Sequence, residues 1–300
     1  MSQSSAVSFE FFPPADAVAA AQLAAALAQL APLNPEFVSV THGADGSSRG
    51  RTYDCVQHMR RSAGWRVVPH LTCLGSTRAE VQALAERYWS AGCRRLVALR
   101  GDAAVADAAK GAGDYRHASE LITDLVAMHD FELLVAAYPE GHPDTGTVEA
   151  DVANLKRKVD AGARGAITQF FFDTDAFLRY RDRCLGAGIA VPIVPGILPI
   201  RRFAQVERFA ARCGTSIPDW LRRRFAAGGG ARGDGSNDGS DDGSGAIAVE
   251  IALEQVLRLK SHGVRDFHFY TLNHADLTRA VCVASGLCAG EADQRLWRFG

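Results

Sequence analysis

The chain has 300 residues, of which 47% are hydrophobic and 22% charged, and its formal net charge is -1. These proportions are typical of a soluble globular protein with a substantial core. The near balance of 33 basic and 34 acidic residues argues against a general electrostatic affinity for nucleic acid or an anionic membrane. Seven scattered cysteines without a C-x-x-C pair indicate reduced thiols, so we expect a cytoplasmic location.

Short apolar runs alternate with helical patterns along the chain. The predicted strands cover residues 7–12, 37–42, 66–73, 95–101, 132–139, 165–172, 192–198 and 266–272. The predicted helices cover residues 17–31, 77–91, 117–129, 147–161, 174–187, 201–213, 247–262 and 274–285. Repeated strand–helix units predict a parallel sheet, and eight of them favour a (β/α)8 TIM barrel, a single α/β domain, over a doubly wound sheet. The first strand is followed by no Gly-rich dinucleotide fingerprint, which favours the same fold.

We expect the barrel to span residues 1–285. Within it, "GGGARGDGSNDGSDDGSG" at 228–245 contains almost no apolar residue. Burial could not offset the entropy of ordering such a segment, so the composition predicts a mobile loop. Residues 286–300 are expected to form a poorly ordered tail.

Glu10 lies at the centre of "VSFEFF", which is otherwise typical of a buried strand. Burying a carboxylate costs roughly several kcal/mol unless the group is paired or protonated. The position of Glu10 therefore indicates either a partner or a chemical role.

Polar residues recur at the carboxyl ends of the predicted strands, where barrels of this type place their active sites. They are Glu10, Thr41, His70, Asp102, Tyr138, Glu140, His142, Gln169, Tyr270 and Asn273. Alone, His70 is more often a hydrogen-bonded core residue, and Asp102 could simply cap the next segment. Their recurrence at one end of the barrel favours an active site, because inward-facing polar groups without partners are penalised.

The predicted helix 147–161 places Asp151, Asn154 and Lys158 on one face, with Arg157 adjacent. The spacing alone favours a solvated face with ion pairs, and the functional alternative is a cradle for a phosphorylated ligand. Nothing in the spacing indicates a metal site or a catalytic serine. The spacing of the residues alone therefore predicts a barrel enzyme that acts on a polar small molecule, and nothing more specific.

Gly196 either lets a ligand approach the backbone or eases a turn.

Nine segments resemble, in order, the strand-end motifs of the bacterial methylenetetrahydrofolate reductases. They are "VSFEFFPP", "FVSVTHGA", "PHLTC", "LVALRGD", "AAYPEGHP", "NLKRKVDAGA", "AITQFFFD", "PGILPI" and "DFHFYTLN". The resemblance implies a homo-oligomeric flavoprotein that binds FAD non-covalently. It also implies that 5,10-methylenetetrahydrofolate is reduced to 5-methyltetrahydrofolate, for methionine synthesis, by NADH or NADPH in a ping-pong reaction.

The resemblance also implies roles for individual residues. Glu10 would be a general acid, kept neutral by a largely apolar barrel mouth, and Asp102 would lie beside the flavin and the pterin. The implied flavin contacts are Thr41, His70, Arg100, Gly101, Asp102, Ala118, Tyr138, His142, Asp151, Asn154, Arg157 and Lys158. The implied substrate contacts are Gln169, Gln205, Phe209, Tyr270 and His274.

The chain departs from the family pattern in three places. His274 replaces an arginine that meets the folate tail, His117 replaces a tyrosine beside the flavin, and residues 228–245 replace a shorter acidic connection. Two alternatives stay open at this point: another flavin-linked barrel oxidoreductase, such as a proline dehydrogenase-like protein, and a non-catalytic barrel that binds FAD or folate. The presence of Glu10, Asp102 and Gln169 argues against the non-catalytic barrel, since a binding protein needs no proton donor.

Overall fold

The computed structural model describes residues 5–42, 48–101, 113–200, 202–227 and 244–287. Their strands pair in parallel into one sheet of order β7-β6-β5-β4-β3-β2-β1-β9-β8. The strands are β1 (Val7–Phe11), β2 (Phe37–Val40), β3 (Val67–Thr72), β4 (Arg95–Leu99), β5 (Glu132–Ala137), β6 (Gly165–Thr168), β7 (Ile193–Val194), β8 (Gly196–Ile197) and β9 (Phe267–Tyr270). The predicted (β/α)8 architecture is confirmed, as a nearly closed barrel.

Helices follow the strands in sequence, and the last of them comes after β9. They are α1 (Ala17–Leu30), α2 (Ser48–Ala63), α3 (Arg78–Ser90), α4 (Ala118–Met128), α5 (Val148–Asp160), α6 (Thr174–Gly186), α7 (Phe203–Cys213), α8 (Asp219–Ala227), α9 (Ser244–Ser261) and α10 (Asp276–Ala284). The sequence patterns missed α2 and α8. In α8, only Leu221 and Phe225 are buried. Two buried apolar residues in a nine-residue helix are too few to give a recognisable helical periodicity of apolar positions.

The predicted seventh strand, residues 192–198, divides at Pro195 into β7 and β8. β7 pairs with β6, and β8 pairs with β9. Proline has no N–H to donate to a ladder, so it interrupts the strand, while its carbonyl still accepts the amide of His268 at 3.0 Å. One interrupted strand thus joins the two edges of the sheet.

The inside of the barrel is divided by an apolar layer below its carboxyl end. Each strand from β2 to β7 contributes one buried side chain to it: Phe37, Val68, Val97, Leu134, Ile167 and Val194. In β1, Val7, Phe9 and Phe11 belong to the larger core shared with the helices. Ser8 and Glu10 therefore point into the barrel, because successive side chains of a strand alternate between its faces.

Two ends of these predictions are wrong, since Ser244 and Gly245 of the predicted loop open α9 and Leu287 of the predicted tail is buried. Residues 228–243 and 288–300 lie outside the described part of the chain, so the rest of the mobile loop and of the tail remain predictions. Asp102 also lies outside it. No helix within the described ranges is long and apolar enough to cross a bilayer.

Gly196 lies at the join between β8 and its neighbours. A Cβ added there would lie 2.3 Å from the carbonyl oxygen of Thr168 and 2.5 Å from Cε2 of Tyr270. Its own amide donates to Oγ1 of Thr168 at 2.9 Å. Packing within the chain thus leaves no room for a side chain at this position, which is a reason for glycine that neither sequence interpretation gave.

We expect Gly196→Ala to lower the free energy of unfolding by about 1–3 kcal/mol, because the methyl group overpacks the join. Urea denaturation measures the change. Gly186→Ala is the matched control, since a Cβ at this helical position meets nothing within 4 Å. Equal stability of the two variants would contradict the packing argument.

Candidate active site

The segment after β9 fixes the main chain of Glu10. Oγ1 of Thr271 donates to the carbonyl of Glu10 at 2.6 Å. The side chain of Asn273 accepts from the amide of Phe12 at 2.8 Å and donates to its carbonyl at 3.0 Å. Leu272 and Asn273 have φ values of 52° and 61°, a left-handed turn that brings the Asn273 amide back to β1. Glu10 is therefore held from a strand far away in sequence.

Three polar side chains converge on one carboxylate oxygen of Glu10. Oε2 lies 3.2 Å from Nε2 of His70 and 3.4 Å from Nε2 of His268. Oγ of Ser39 donates to the same oxygen at 3.4 Å. The partners come from β3, β9 and β2, and the parallel register places Ser39 and Tyr270 beside Glu10. The Glu10 side chain is 13% exposed, so these contacts form in a mostly buried setting.

The two histidines determine the charge of Glu10. Burial by itself raises the pKa of the carboxyl, but the charge of His70 and the hydrogen bonds from His268 and His70 outweigh it and lower the pKa to about 2. The expectation that apolar surroundings keep Glu10 neutral is therefore wrong. The carboxylate is ionised, and its burial is explained by its partners.

Tyr270 and Gln169, two predicted substrate contacts, lie at the ends of β9 and β6. The hydroxyl of Tyr270 donates to the carbonyl of Thr168 at 2.7 Å, so it is committed to the main chain. Oε1 of Gln169 accepts the amide of Phe170 at 3.0 Å, which folds this side chain over its own turn. Phe170 meets the Tyr270 ring edge to face, with centroids 6.5 Å apart. What Tyr270 can offer a ligand is its ring.

Asp151 organises the loop that follows β5. Its Oδ2 accepts from the amide of His142 and, at 2.7 Å, from Oγ1 of Thr145. The His142 ring packs edge to face against Tyr138, with centroids 4.7 Å apart. Oδ1 of Asp151 is buried and has no hydrogen-bond partner among the described residues. This carboxylate oxygen can therefore accept a further hydrogen bond.

Three cations lie close together at the same end of the barrel. Lys158 donates to a main-chain carbonyl of β5 at 2.8 Å. Burial lowers the pKa of Lys158 to about 8; the charge of Asp151 opposes this shift, and the charges of Arg100 and Arg157 reinforce it. Arg157 also donates to Asn154 at 3.3 Å. We call Arg100, Arg157 and Lys158 the cationic patch.

The predicted solvated face of the helix at 147–161 is only partly present. Asp151 and Lys158 are 2% and 6% exposed, whereas Arg157 is exposed and Asn154 is half-buried. Spacing could not reveal this, because the two buried residues are covered by β5 and its loop. Burial of the two charged residues favours the alternative of a ligand cradle.

Thr41 is another predicted flavin contact with an unsatisfied group. Its amide donates to the carbonyl of Phe11 at 2.9 Å, and its carbonyl accepts from Thr52 at 3.0 Å. Its Oγ1 is buried without a hydrogen-bond partner in the described ranges. Together with Asp151, Thr41 supplies a second buried polar atom at the barrel mouth that a ligand would satisfy.

The remaining predicted contacts lie around the rim. Gln205 and Phe209 are half-buried one turn apart on α7, where Phe209 packs against a second apolar core. His274 is exposed, with its Nε2 3.0 Å from the side-chain nitrogen of Gln22 on α1.

Ala118 is buried and opens α4, and Gly101 has a φ of 92° after β4. His117, the departure beside the predicted flavin site, precedes α4, and its amide donates to Glu120 at 3.3 Å.

Sequence reasoning missed three residues around Glu10: Ser8, Ser39 and His268. A signal was present, because they occupy inward positions of β1, β2 and β9 in otherwise apolar runs such as "DFHFY". His268 is fully buried, and its Nδ1 lies 2.7 Å from Oγ of Ser8. The search for strand-end residues passed over them because each lies two residues deeper in the barrel than the residue singled out on its strand.

Comparison with known proteins finds relatives that match almost the whole chain. A family model described as "Methylenetetrahydrofolate reductase" matches residues 1–286. The 5,10-methylenetetrahydrofolate reductase of Escherichia coli K12 is 44% identical over 95% of this chain and 92% of its own. That of Pectobacterium carotovorum is 42% identical over 94% of this chain and 90% of its own.

Two solved structures share the fold at low identity. An uncharacterised protein from Clostridium thermocellum that binds two copies of 5-methyl-5,6,7,8-tetrahydrofolic acid has a TM-score of 0.62 at 14% identity, covering 95% of this chain and 96% of its own. Dihydropteroate synthase from Thermus thermophilus has a TM-score of 0.52 at 16% identity, covering 95% of this chain and 93% of its own. At these identities the likeness supports the barrel alone.

The lowered pKa of Glu10 predicts how stability depends on pH. Because the folded-state pKa lies below the unfolded value, ionised Glu10 stabilises the fold above the unfolded pKa, and the stabilisation is lost as pH falls towards 2. The difference in free energy of unfolding between wild type and Glu10→Gln should therefore shrink by about 1–2 kcal/mol between about pH 5 and pH 3.

Urea denaturation across this pH range measures that difference. Glu207→Gln, which removes an exposed carboxylate paired with Arg222 at 2.8 Å, controls for the loss of one negative charge. A constant difference between wild type and Glu10→Gln would show that the histidines do not hold Glu10 ionised.

Proposed function

Because the chain belongs to the methylenetetrahydrofolate reductase family, we propose that it reduces 5,10-methylenetetrahydrofolate to 5-methyltetrahydrofolate through bound FAD. NADH or NADPH supplies the electrons in a ping-pong reaction, and the product provides methyl groups for methionine synthesis. The observation that carries the proposal is the inward carboxylate of Glu10, held by two histidines at the mouth of the barrel. The enzyme works in the cytoplasm as a homo-oligomer.

The barrel mouth suits a large anionic cofactor. The cationic patch supplies positive charge for a diphosphate. His142 lies on the loop between β5 and α5, and Asn154 lies on α5. Thr41 and Asp151 each present a buried oxygen that lacks a hydrogen-bond partner within the described ranges. We assign FAD to these residues, together with His70, Gly101, Ala118, Tyr138 and Asp102.

A bound flavin would supply hydride transfer from the nicotinamide to the folate. The rest of the chemistry falls to the protein. Gln169, Gln205, Phe209 and Tyr270 would position the two substrates in turn at the bound flavin. The rings of Phe209 and Tyr270 provide flat apolar surfaces for them. Asp102 is assigned to the pterin.

Glu10 handles the proton that the reaction needs. Opening the methylene bridge breaks the bond between the bridge carbon and N10, and the electron pair stays on N10, which must be protonated. Glu10 delivers this proton from its carboxyl group. Because Glu10 is ionised before the substrate reacts, the proton has to reach it from a neighbouring group.

Two half-reactions test the proposal separately. The purified chain should carry a yellow flavin that NADH or NADPH reduces without oxygen and that 5,10-methylenetetrahydrofolate then reoxidises. Glu10→Gln should keep the flavin and its reduction but slow reoxidation by about 10²-fold or more, the range of general acid catalysis. Stopped-flow absorbance of the flavin measures both steps.

Glu86→Gln is the control for reoxidation, since Glu86 lies on α3 and pairs with His129 at 2.7 Å, outside the proposed site. Reduction of the bound flavin by proline, without reoxidation of the reduced flavin by the folate, would point to the proline dehydrogenase-like alternative. A protein that binds folate without reoxidising the flavin would be the non-catalytic barrel.

His274 offers a test of substrate binding. An arginine there would be charged at every working pH and could bind a carboxylate of the folate tail through two donors. We expect His274→Arg to lower the KM for the folate by about two- to fivefold, the worth of an exposed ion pair, and the effect to fall on KM rather than kcat. Steady-state kinetics at low ionic strength measure it; an unchanged KM would remove His274 from the folate site.

A further inference from the structure

Glu140 follows β5, and it is a polar residue at a strand end for which the proposed reaction has no role so far. We propose that Glu140 is a positioning residue that clamps the loop between β5 and α5 to the end of α7, and so sets where Gln205 and Phe209 meet the substrates. The inference rests on the proposed folate reduction and deepens it, since it names a residue that governs substrate binding through α7. We call the contact between Glu140 and Ser216 the clamp.

Both carboxylate oxygens of Glu140 bind Ser216, in the segment between α7 and α8. Oε2 accepts from the main-chain amide of Ser216 at 3.2 Å, and Oε1 accepts from its hydroxyl group. Two hydrogen bonds to one residue fix its orientation as well as its distance. The clamp therefore holds the chain just beyond α7 in one position relative to the loop that follows β5.

The two segments also pack closely beside the clamp. Gly214 ends α7 with a φ of 70°, in the left-handed region that favours glycine. A Cβ added to Gly214 would lie 2.8 Å from Cγ and 3.0 Å from Cδ of Pro143, which follows His142 in the loop. The clamp thus bonds two segments that are already in direct contact.

α7 itself has a small buried face. Of its 11 residues, Val206 and Ala210 are buried, whereas Gln205 and Phe209 are half-buried. A helix with few buried apolar residues opens locally at a low cost in free energy. The positions of Gln205 and Phe209 therefore depend on contacts at the ends of the helix, and the clamp is such a contact.

The segment beyond α7 is also tied to the turn after β6. Thr215 is buried, and its Oγ1 donates to the carbonyl of Phe170 at 3.0 Å. Phe170 directly follows Gln169, whose side chain accepts its amide. Thr215 thus attaches the end of α7 to the turn that carries one proposed substrate contact. Glu140 attaches the same end to the loop that carries proposed flavin contacts.

The surroundings of Glu140 do not favour its charge. Burial raises the pKa of this carboxyl, the hydrogen bonds from Ser216 oppose the rise, and the charge of Asp173 adds to it. Glu140 therefore acts through its two acceptor oxygens, and glutamine can take over most of that task. The amide oxygen of a glutamine would accept from the Ser216 amide, and its NH2 group would donate to the Ser216 hydroxyl oxygen.

The flavin side of the loop is fixed without the clamp. Oδ2 of Asp151 accepts from the amide of His142 and from the hydroxyl of Thr145, and neither bond involves Glu140. Loss of the Glu140 carboxylate should therefore release the end of α7 and leave the proposed flavin contacts in place. This difference separates the clamp from general damage to the fold.

The first measurement uses the flavin-free protein. Hydrogen exchange followed by mass spectrometry should show that Glu140→Ala speeds exchange of the amides in residues 203–213 by about tenfold, because the loss of two hydrogen bonds frees the end of α7. Exchange in residues 148–160 should change by less than about twofold, and Glu140→Gln should resemble wild type. Unchanged exchange in α7, or faster exchange in α5 and α7 alike, would overturn the clamp.

The second measurement uses the flavin-loaded protein and both substrates. We expect Glu140→Ala to raise the KM for the nicotinamide and the KM for the folate by about tenfold each, because binding shared by the ground state and the transition state is lost. Both kcat and the Kd for FAD should change by less than about threefold, since Asp151 holds the flavin side of the loop. Glu140→Gln should restore both KM values to within about threefold of wild type. Steady-state kinetics and titration of flavin fluorescence measure these constants.

Two further variants control for a general effect. Ser216→Ala, at an exposed position, removes one of the two bonds and keeps the main-chain amide. It should give the same pattern with a rise in KM of about two- to threefold. Glu86→Ala removes a carboxylate that pairs with His129 at 2.7 Å, and it should leave both KM values and the exchange of α7 unchanged.

The outcomes separate the clamp from the proposed function. If the wild-type flavin is not reoxidised by the folate, the proposed function fails, while the exchange of α7 still decides whether the clamp exists. If wild type works and Glu140→Ala keeps both KM values, the positioning role is overturned. It is also overturned if Glu140→Gln is as impaired as Glu140→Ala, since charge would then be the cause, or if the Kd for FAD rises as much as KM.

Discussion

The buried carboxylate of Glu10 is the constraint around which the carboxyl end of the barrel is built. Removing one charge from water without a partner costs roughly several kcal/mol, so the fold has to supply partners at that depth. It supplies them from three strands, through His70, His268 and Ser39. β1 and β9 are far apart in sequence, and the parallel register sets these partners at one level.

The apolar layer below Glu10 and the packing at Gly196 both help to keep the buried carboxylate of Glu10 beside its partners. The layer of six side chains closes the barrel from beneath, so the polar groups above it interact in a setting with little water. The join holds β9, which carries His268 and Tyr270, against the interrupted seventh strand. A barrel that did not close here would leave His268 free to move away from the carboxylate.

The sequence predicted the architecture because its signals are local. Apolar runs of strand length alternate with patterned helices, and the eight-unit count follows. The break at Pro195 and the helix α8 were missed, since a single proline leaves the apolar run intact and two anchors in nine residues make no period. Glu10 was found because a charge within an apolar strand stands out.

The charge state of Glu10 could not be found in this way. It depends on His70 and His268, which come from other strands, and only the closed barrel brings all three together. The same holds for Asp151 and Lys158, whose burial is set by β5 and its loop. Family resemblance supplied the assignments at these positions, and the structure supplies the physical setting in which they act.

The protonation of the Glu10 carboxyl in the free protein tests the central claim most directly. Carbon-13 NMR of the labelled carboxyl, followed from about pH 8 down to about pH 3, reports it residue by residue. The account predicts the shift of an ionised carboxylate throughout that range, in keeping with a pKa of about 2. A carboxyl that takes up its proton near neutral pH would contradict it.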